Sequence, residues 1–197
     1  MKSILILSAF IVFLSCNNDK TTTENKTTTS DTALNSNATT DQPSEKKDLA
    51  IVKAALEQMT PISETELKAK LPAEIRGAPA SGISVDPGMG ALLASAKYQL
   101  TDTSSVSVDI VDCAGAGGAG YFSYQYSDNT DTGGPDSETT FEVSQFKGWQ
   151  AFESCIKYRP VDCVFTWFNG ERYLVHLQGT NTGIELLKQI AGELSIR

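Results

Sequence analysis

The chain is short of positive charge and carries a single histidine, His176. Its 16 lysines and arginines stand against 24 aspartates and glutamates, a formal charge of −8 at neutral pH. Contact with nucleic-acid phosphates needs clustered Lys and Arg, so no nucleic-acid partner is expected. The sequence also lacks any run approaching the roughly 20 apolar residues that a membrane-spanning helix requires. Residues 17–46 lack aromatic side chains altogether and hold almost nothing apolar. Such a segment cannot bury enough surface to offset its ordering entropy, so no packed structure is expected there. No internal repeat is visible. What remains, 40% apolar and 20% charged over 197 residues, suits one globular domain with tails.

The one long apolar run is at the start, MKSILILSAFIVFLSC. Lys2 supplies a basic opening, Ile4 to Leu14 an apolar stretch broken only by Ser8, and Ser15 and Cys16 a small-residue boundary. That three-part layout is the pattern of an export signal. With a cysteine directly after the small residue, it resembles the lipobox of bacterial lipoproteins, with Phe13 where that family usually has Leu and Leu14 where a smaller residue is usual. The resemblance implies removal of residues 1–15, acylation of Cys16 through its sulfur with palmitate-like chains, and a second acylation at the new amino group. Two or more acyl chains hold a protein stably on a membrane. Asn17 stands where Asp would favour retention in the inner membrane. By the same resemblance this points to the outer membrane, on its periplasmic or surface face. Residues 17–46 would then be a tether, with a root-mean-square reach of about 30 Å and a stretched reach of about 100 Å.

The remaining chain, 47–197, reads as one α+β domain. Leu49, Val52, Leu56 and Met59 repeat at helical spacing until Pro61. Ser63 and Glu66 make a capping box, stapled by Ile62 and Leu67, for a second helix stopping near Pro72. Residues 73–90, rich in glycine and proline, read as loop. Strands are predicted near 91–99, 104–112, 139–146, 149–157, 161–168 and 171–178, with Asn169-Gly170 as a two-residue hairpin turn. Thr182 and Glu185 predict a second capping box, for a closing helix with the stripe Ile184, Leu187, Ile190, Ala191 and Leu194. The expectation is a mostly antiparallel sheet of about six strands packed with N-terminal helices and a C-terminal helix.

Asp112, the stretch Lys147-Gly148-Trp149-Gln150-Ala151-Phe152-Glu153 and the segment Arg172 to Gly179 resemble recurring features of the PsbP-like proteins and of some bacterial envelope α+β proteins. The resemblance covers about half the chain and implies a small α+β fold. It carries no catalytic residue with it.

Four groups of residues invite a chemical reading. Gly115, Gly117 and Gly120 follow a strand with the spacing G-x-G-x-x-G. A dinucleotide site needs a buried parallel strand, whereas Val106, Val108 and Ile110 alternate with Ser107, Asp109 and Val111, as in a sheet with one wet face. Close backbone packing by glycine is the expectation, with Tyr121, Phe122, Tyr124 and Tyr126 in a short aromatic element, and no cofactor. Cys113, Cys155 and Cys163 remain after Cys16 is set aside. A three-residue turn at Tyr158-Arg159-Pro160 would face Cys155 with Cys163 and allow a disulfide. The Asn169-Gly170 turn would put His176 opposite Cys163, with Glu153 on the same face, and Trp167 opposite Arg172. That raises a thiol-dependent enzyme or redox module using Cys163 and His176 as the rival to a structural disulfide. The acidic stretch 127–138, with Asp128, Asp131, Asp136 and Glu138, fails the spacing of a calcium loop because threonine falls at the closing position, so no metal site is expected. With no nucleophile–base pair, ligand cluster or basic patch to build on, the expected role is non-enzymatic: a lipid-anchored envelope protein whose domain binds another envelope protein or a small ligand.

Overall fold

The structure, a computed structural model, describes residues 45–127 and 138–197. In chain order it contains α1 (Glu45–Gln58), α2 (Glu64–Lys68), β1 (Glu74–Ile75), β2 (Ala78–Asp86), β3 (Leu92–Gln99), β4 (Ser105–Asp112), α3 (Gly115–Ser127), β5 (Thr139–Phe146), β6 (Trp149–Ile156), β7 (Arg159–Phe168), β8 (Tyr173–Thr180) and α4 (Ile184–Glu193). The eight strands form one open antiparallel sheet in the order β1-β2-β3-β4-β8-β7-β6-β5.

The sheet is larger than the six strands expected, because 73–90 contains β1 and β2. Arg76 and Gly77, at φ 51° and 82°, form the left-handed pair of a tight hairpin turn between them. Pro79 is tolerated because β2 has only the two-residue β1 outside it, and Gly82 takes up a register shift against β3. The residues that suggested a loop are therefore those of a blunted sheet edge.

Both sheet faces carry helices. On the first, Val106, Val108 and Ile110 of β4, Val175 and Leu177 of β8, and Phe165 and Trp167 of β7 pack beneath Leu67 of α2 and Leu187, Ile190 and Ala191 of α4. On the second, Val111, Leu174, Phe168 and Phe152 lie beneath Leu56 of α1 and Ala119, Phe122 and Tyr126 of α3. Burying each such large apolar side chain contributes about 2 kcal/mol. The wet face expected for β4 survives at Ser107 and Asp109, which are half-buried, and ends at Val111, which the helices cover.

Local signals behave unevenly. The Ser63–Glu66 box forms as drawn, each side chain bonding the other residue's backbone N–H. The Thr182–Glu185 box does not. Gly183 is the N-cap of α4, and the Thr182 hydroxyl bonds the carbonyls of Ser105 and Thr180. A parallel bridge with Asp162 holds Thr182 against the end of the sheet, away from the helix N–H groups.

Candidate functional site

The pairing of β7 with β8 decides which side chains meet. Asn169-Gly170 is not a two-residue turn. The Asn169 side-chain oxygen accepts from the N–H groups of Glu171, Arg172 and Tyr173, so the loop runs from Asn169 to Arg172. The register is therefore Thr166↔His176 and Trp167↔Val175. This displaces the expected pairing by an odd number of residues and reverses the faces. Cys163 lies on the first face, with Cys155 and Glu153, and His176 on the second, so the expected Cys163–His176 juxtaposition does not exist. Trp167 likewise does not meet Arg172, whose guanidinium lies 5.8 Å from the Tyr173 ring centre.

On the second face, His176 lines a cleft of about 380 Å³. Its other walls are Gln125 of α3, Phe141 of β5, Phe152 and Ser154 of β6, and Val164 and Thr166 of β7. Among the described residues α3 covers only part of this face, and the cleft lies beside it. No wall residue is an acid, a lysine or an arginine. His176 Nδ1 and Thr166 Oγ1 are 2.8 Å apart, and either can donate. Its Nε2 is fully enclosed and has no hydrogen-bond partner. The Tyr121 ring meets the imidazole edge-on at 6.4 Å, and Asp109 pairs with His176 across the β4–β8 register. Burial drives the imidazole pKa down to about 4, against an opposing pull from the Asp109 charge. The ring is thus neutral at physiological pH: one nitrogen serves Thr166 and the other has unmet hydrogen-bonding capacity. Phe141 and Phe152 stand nearly parallel at 6.0 Å on the far wall. The cleft offers hydroxyl, amide and imidazole groups between aromatic walls, and no fixed charge.

The thiols are occupied or inert. Cys155 and Cys163 form a disulfide across the β6–β7 pair, with Cα atoms 4.1 Å apart. The hairpin tip is Lys157-Tyr158 with an irregular register behind it, not the three-residue turn expected, yet the two cysteines still face one another. Cys113 is a buried free thiol beneath α1 and α3. Burial pushes its pKa up to about 12, so it holds no reactive thiolate near neutral pH.

The strand–glycine–helix sequence at 105–127 is real, but the glycines serve packing. Gly115 sits at φ 75° against Pro61. A Cβ on Gly117 would fall 2.0 Å from the Gly90 carbonyl oxygen, and one on Gly118 would fall 2.4 Å from the Cys113 backbone. The amino end of α3 is thereby filled by this chain's own backbone, and β4 is antiparallel to both neighbours. Gly120 has nothing within 4 Å. Asp112, almost wholly buried at the end of β4, accepts from Arg172 Nε at 2.7 Å and Nη2 at 2.9 Å and from the N–H groups of Ile62 and Ala114. Arg172 also donates to the Thr60 carbonyl. Four donors on one carboxylate make a clamp tying the α1–α2 connection to the sheet.

Sequence reasoning named His176 but gave it the wrong neighbours, whereas the short aromatic element expected at 121–126 is the second half of α3. Thr166, Ser154 and Phe141 share a face through the β5–β6 and β6–β7 pairings, and were missed because only the true β7–β8 register brings His176 to that face. Among the described residues, no three of His, Cys, Asp and Glu are placed to hold a metal ion. Cys16 and the acids Asp128, Asp131 and Asp136 lie outside the described residues, and Glu138, just inside, is exposed. Comparison of the chain with protein-family models, with curated proteins and with solved structures found no match.

Proposed function

We propose that this chain is a lipid-anchored protein of the bacterial cell envelope, held at the outer membrane through Cys16, whose domain binds a small uncharged aromatic molecule in the His176 cleft without transforming it. The observation that carries the binding reading is the cleft itself, walled by phenylalanine and by hydroxyl, amide and imidazole side chains with no charged residue among them. Aromatic walls with a few convergent polar groups suit a flat, neutral ligand bearing one or two hydrogen-bonding atoms. The Cys155–Cys163 disulfide supports an exported location, since such bonds persist in oxidising compartments.

Two measurements test the two halves. Cells grown on labelled palmitate should label the wild-type chain and not a Cys16→Ala variant; an unlabelled cytosolic wild type refutes the anchor. Protein-observed NMR titration with neutral phenols and aromatic amides should give saturable shifts centred on His176 and Thr166. Ser154→Phe, which fills the cleft, should abolish them. Shifts scattered over the surface, or unaffected by that substitution, refute the binding site.

A further inference from the structure

The two ends of the sheet are built differently. The β1–β2 end is short, kinked and interrupted by Pro79 and a bulge, devices that stop another strand from adding. The β5 end has none of them. Thr139–Phe146 pairs with β6 over all eight residues without a break, contains no proline or lysine, and has one charge, Glu142.

Which backbone groups this edge presents follows from two independent distances. The Glu138 carbonyl accepts from Lys157 N–H at 2.8 Å, so Glu138 directs its peptide groups towards β6. The 4.1 Å Cα separation of Cys155 and Cys163 is that of a pair without mutual backbone bonds, so Cys155 directs its own towards Thr140. Alternation along the strand then turns Phe141, Val143 and Gln145 outward. Among the described residues no strand pairs with their N–H and C=O groups, and Val143 is 49% exposed.

We propose that this edge pairs with the same edge of a second copy of the chain, antiparallel, about a twofold axis through Val143. The choice of a second copy and of that register rests on self-complementarity. An axis perpendicular to the sheet keeps each face continuous, which requires odd residues to oppose odd ones. Centring the axis on Glu142 would set two carboxylates directly opposite, which is destabilising. Centring it on Val143 sets Glu142 against Ser144, Phe141 against Gln145 and valine against valine. About six N–H···O bonds then form between the three outward residues of each copy. The inference does not rest on the anchor or on ligand binding, although Phe141 belongs both to this edge and to the wall of the His176 cleft, and it predicts a sixteen-stranded sheet across the dimer.

Single cysteines in the full-length chain, oxidised in membranes of expressing cells, test it. At Val143 the two copies' Cα atoms would lie about 5.5 Å apart, within disulfide range. Val143→Cys should therefore give a reducible species of doubled mass, while Glu142→Cys, which faces Ser144, should stay monomeric. The double variant Phe141→Cys/Gln145→Cys should crosslink, and neither single variant should. Monomeric Val143→Cys, or crosslinking of Glu142→Cys as readily, overturns the proposal. Val143→Pro removes only an outward N–H, so in the detergent-solubilised chain it should halve the mass of the wild-type particle; a wild type of monomeric mass also overturns it.

Discussion

Asp112 and His176 are buried titratable groups with opposite resting states. Burial alone would raise the Asp112 pKa, but the Arg172 fork and the backbone N–H groups of Ile62 and Ala114 outweigh it and hold the carboxyl ionised. Asp112→Asn would leave Arg172 without its partner and should lower stability by about 3 kcal/mol in denaturant melts. Arg172→Lys keeps the charge but loses the fork, and should cost less. His176 works the other way. Its ordinary value of 6.5 drops to about 4 on folding, so the unfolded chain takes up a proton that the folded one refuses. The stabilisation is complete above pH 6.5 and is lost as pH falls towards 4. Between pH 7 and pH 4.5 the unfolding free energy should drop by about 2 kcal/mol on this account. Asp112 adds to the loss only below its unfolded value, near pH 4. Urea melts of His176→Gln should lack the upper part of this dependence, and an unchanged slope would mean that the imidazole is solvated.

At the scale of elements, α3 separates packing from any other use of its glycines. Gly117→Ala would push a methyl group into the Gly90 carbonyl and should destabilise the fold by more than about 1 kcal/mol. Gly120→Ala meets open space and should stabilise by up to about 1 kcal/mol through helix propensity. Equal effects in thermal melts would contradict this division. The α4 helix has no basic residue in its last turn. Lys147, from the β5–β6 turn, supplies one instead, donating to the Ala191 and Leu194 carbonyls. Lys147→Met should cost about 1 kcal/mol. Such distant capping explains why elements were easier to read than their junctions. The β5–β6 loop falls between the expected strands, with β6 ending at Ile156 and not at 157, and Lys147-Gly148, at φ 51° and 81°, has the geometry that a two-residue loop needs. Asn169-Gly170 carries the same signal, but its asparagine oxygen gathers three backbone N–H groups and lengthens the loop. That local competition moved the β7–β8 register and, with it, every neighbour of His176.

For the whole molecule, the sheet has its helices over one part and its disulfide near the far end. The α2 and α4 helices cover the first face over β2, β3, β7 and β8 and leave Thr140 and Glu142 of β5 exposed; among the described residues α1 and α3 cover the second above β4, β8 and part of β7 and β6, with the His176 cleft beside them. An alternating sequence reports that a face is half polar, but not which half a helix will cover, so the cleft could not be read from the strands alone. The Cys155–Cys163 bond acts where the β6–β7 pair runs out towards an irregular tip. It closes a loop of sequence separation 8, and on chain-entropy grounds removing it should cost about 2–3 kcal/mol. Reductant should therefore lower the midpoint of a denaturant melt in the wild type. The Cys155→Ala/Cys163→Ala variant should start near that lower value and not respond to reductant, because the remaining thiol of the domain, Cys113, is buried and unpaired. A variant that still shifts on reduction would place the stabilising bond elsewhere. A wild type indifferent to reductant would mean that the β6–β7 ladder holds without its sulfur bridge, and would remove the support the bond lends to export.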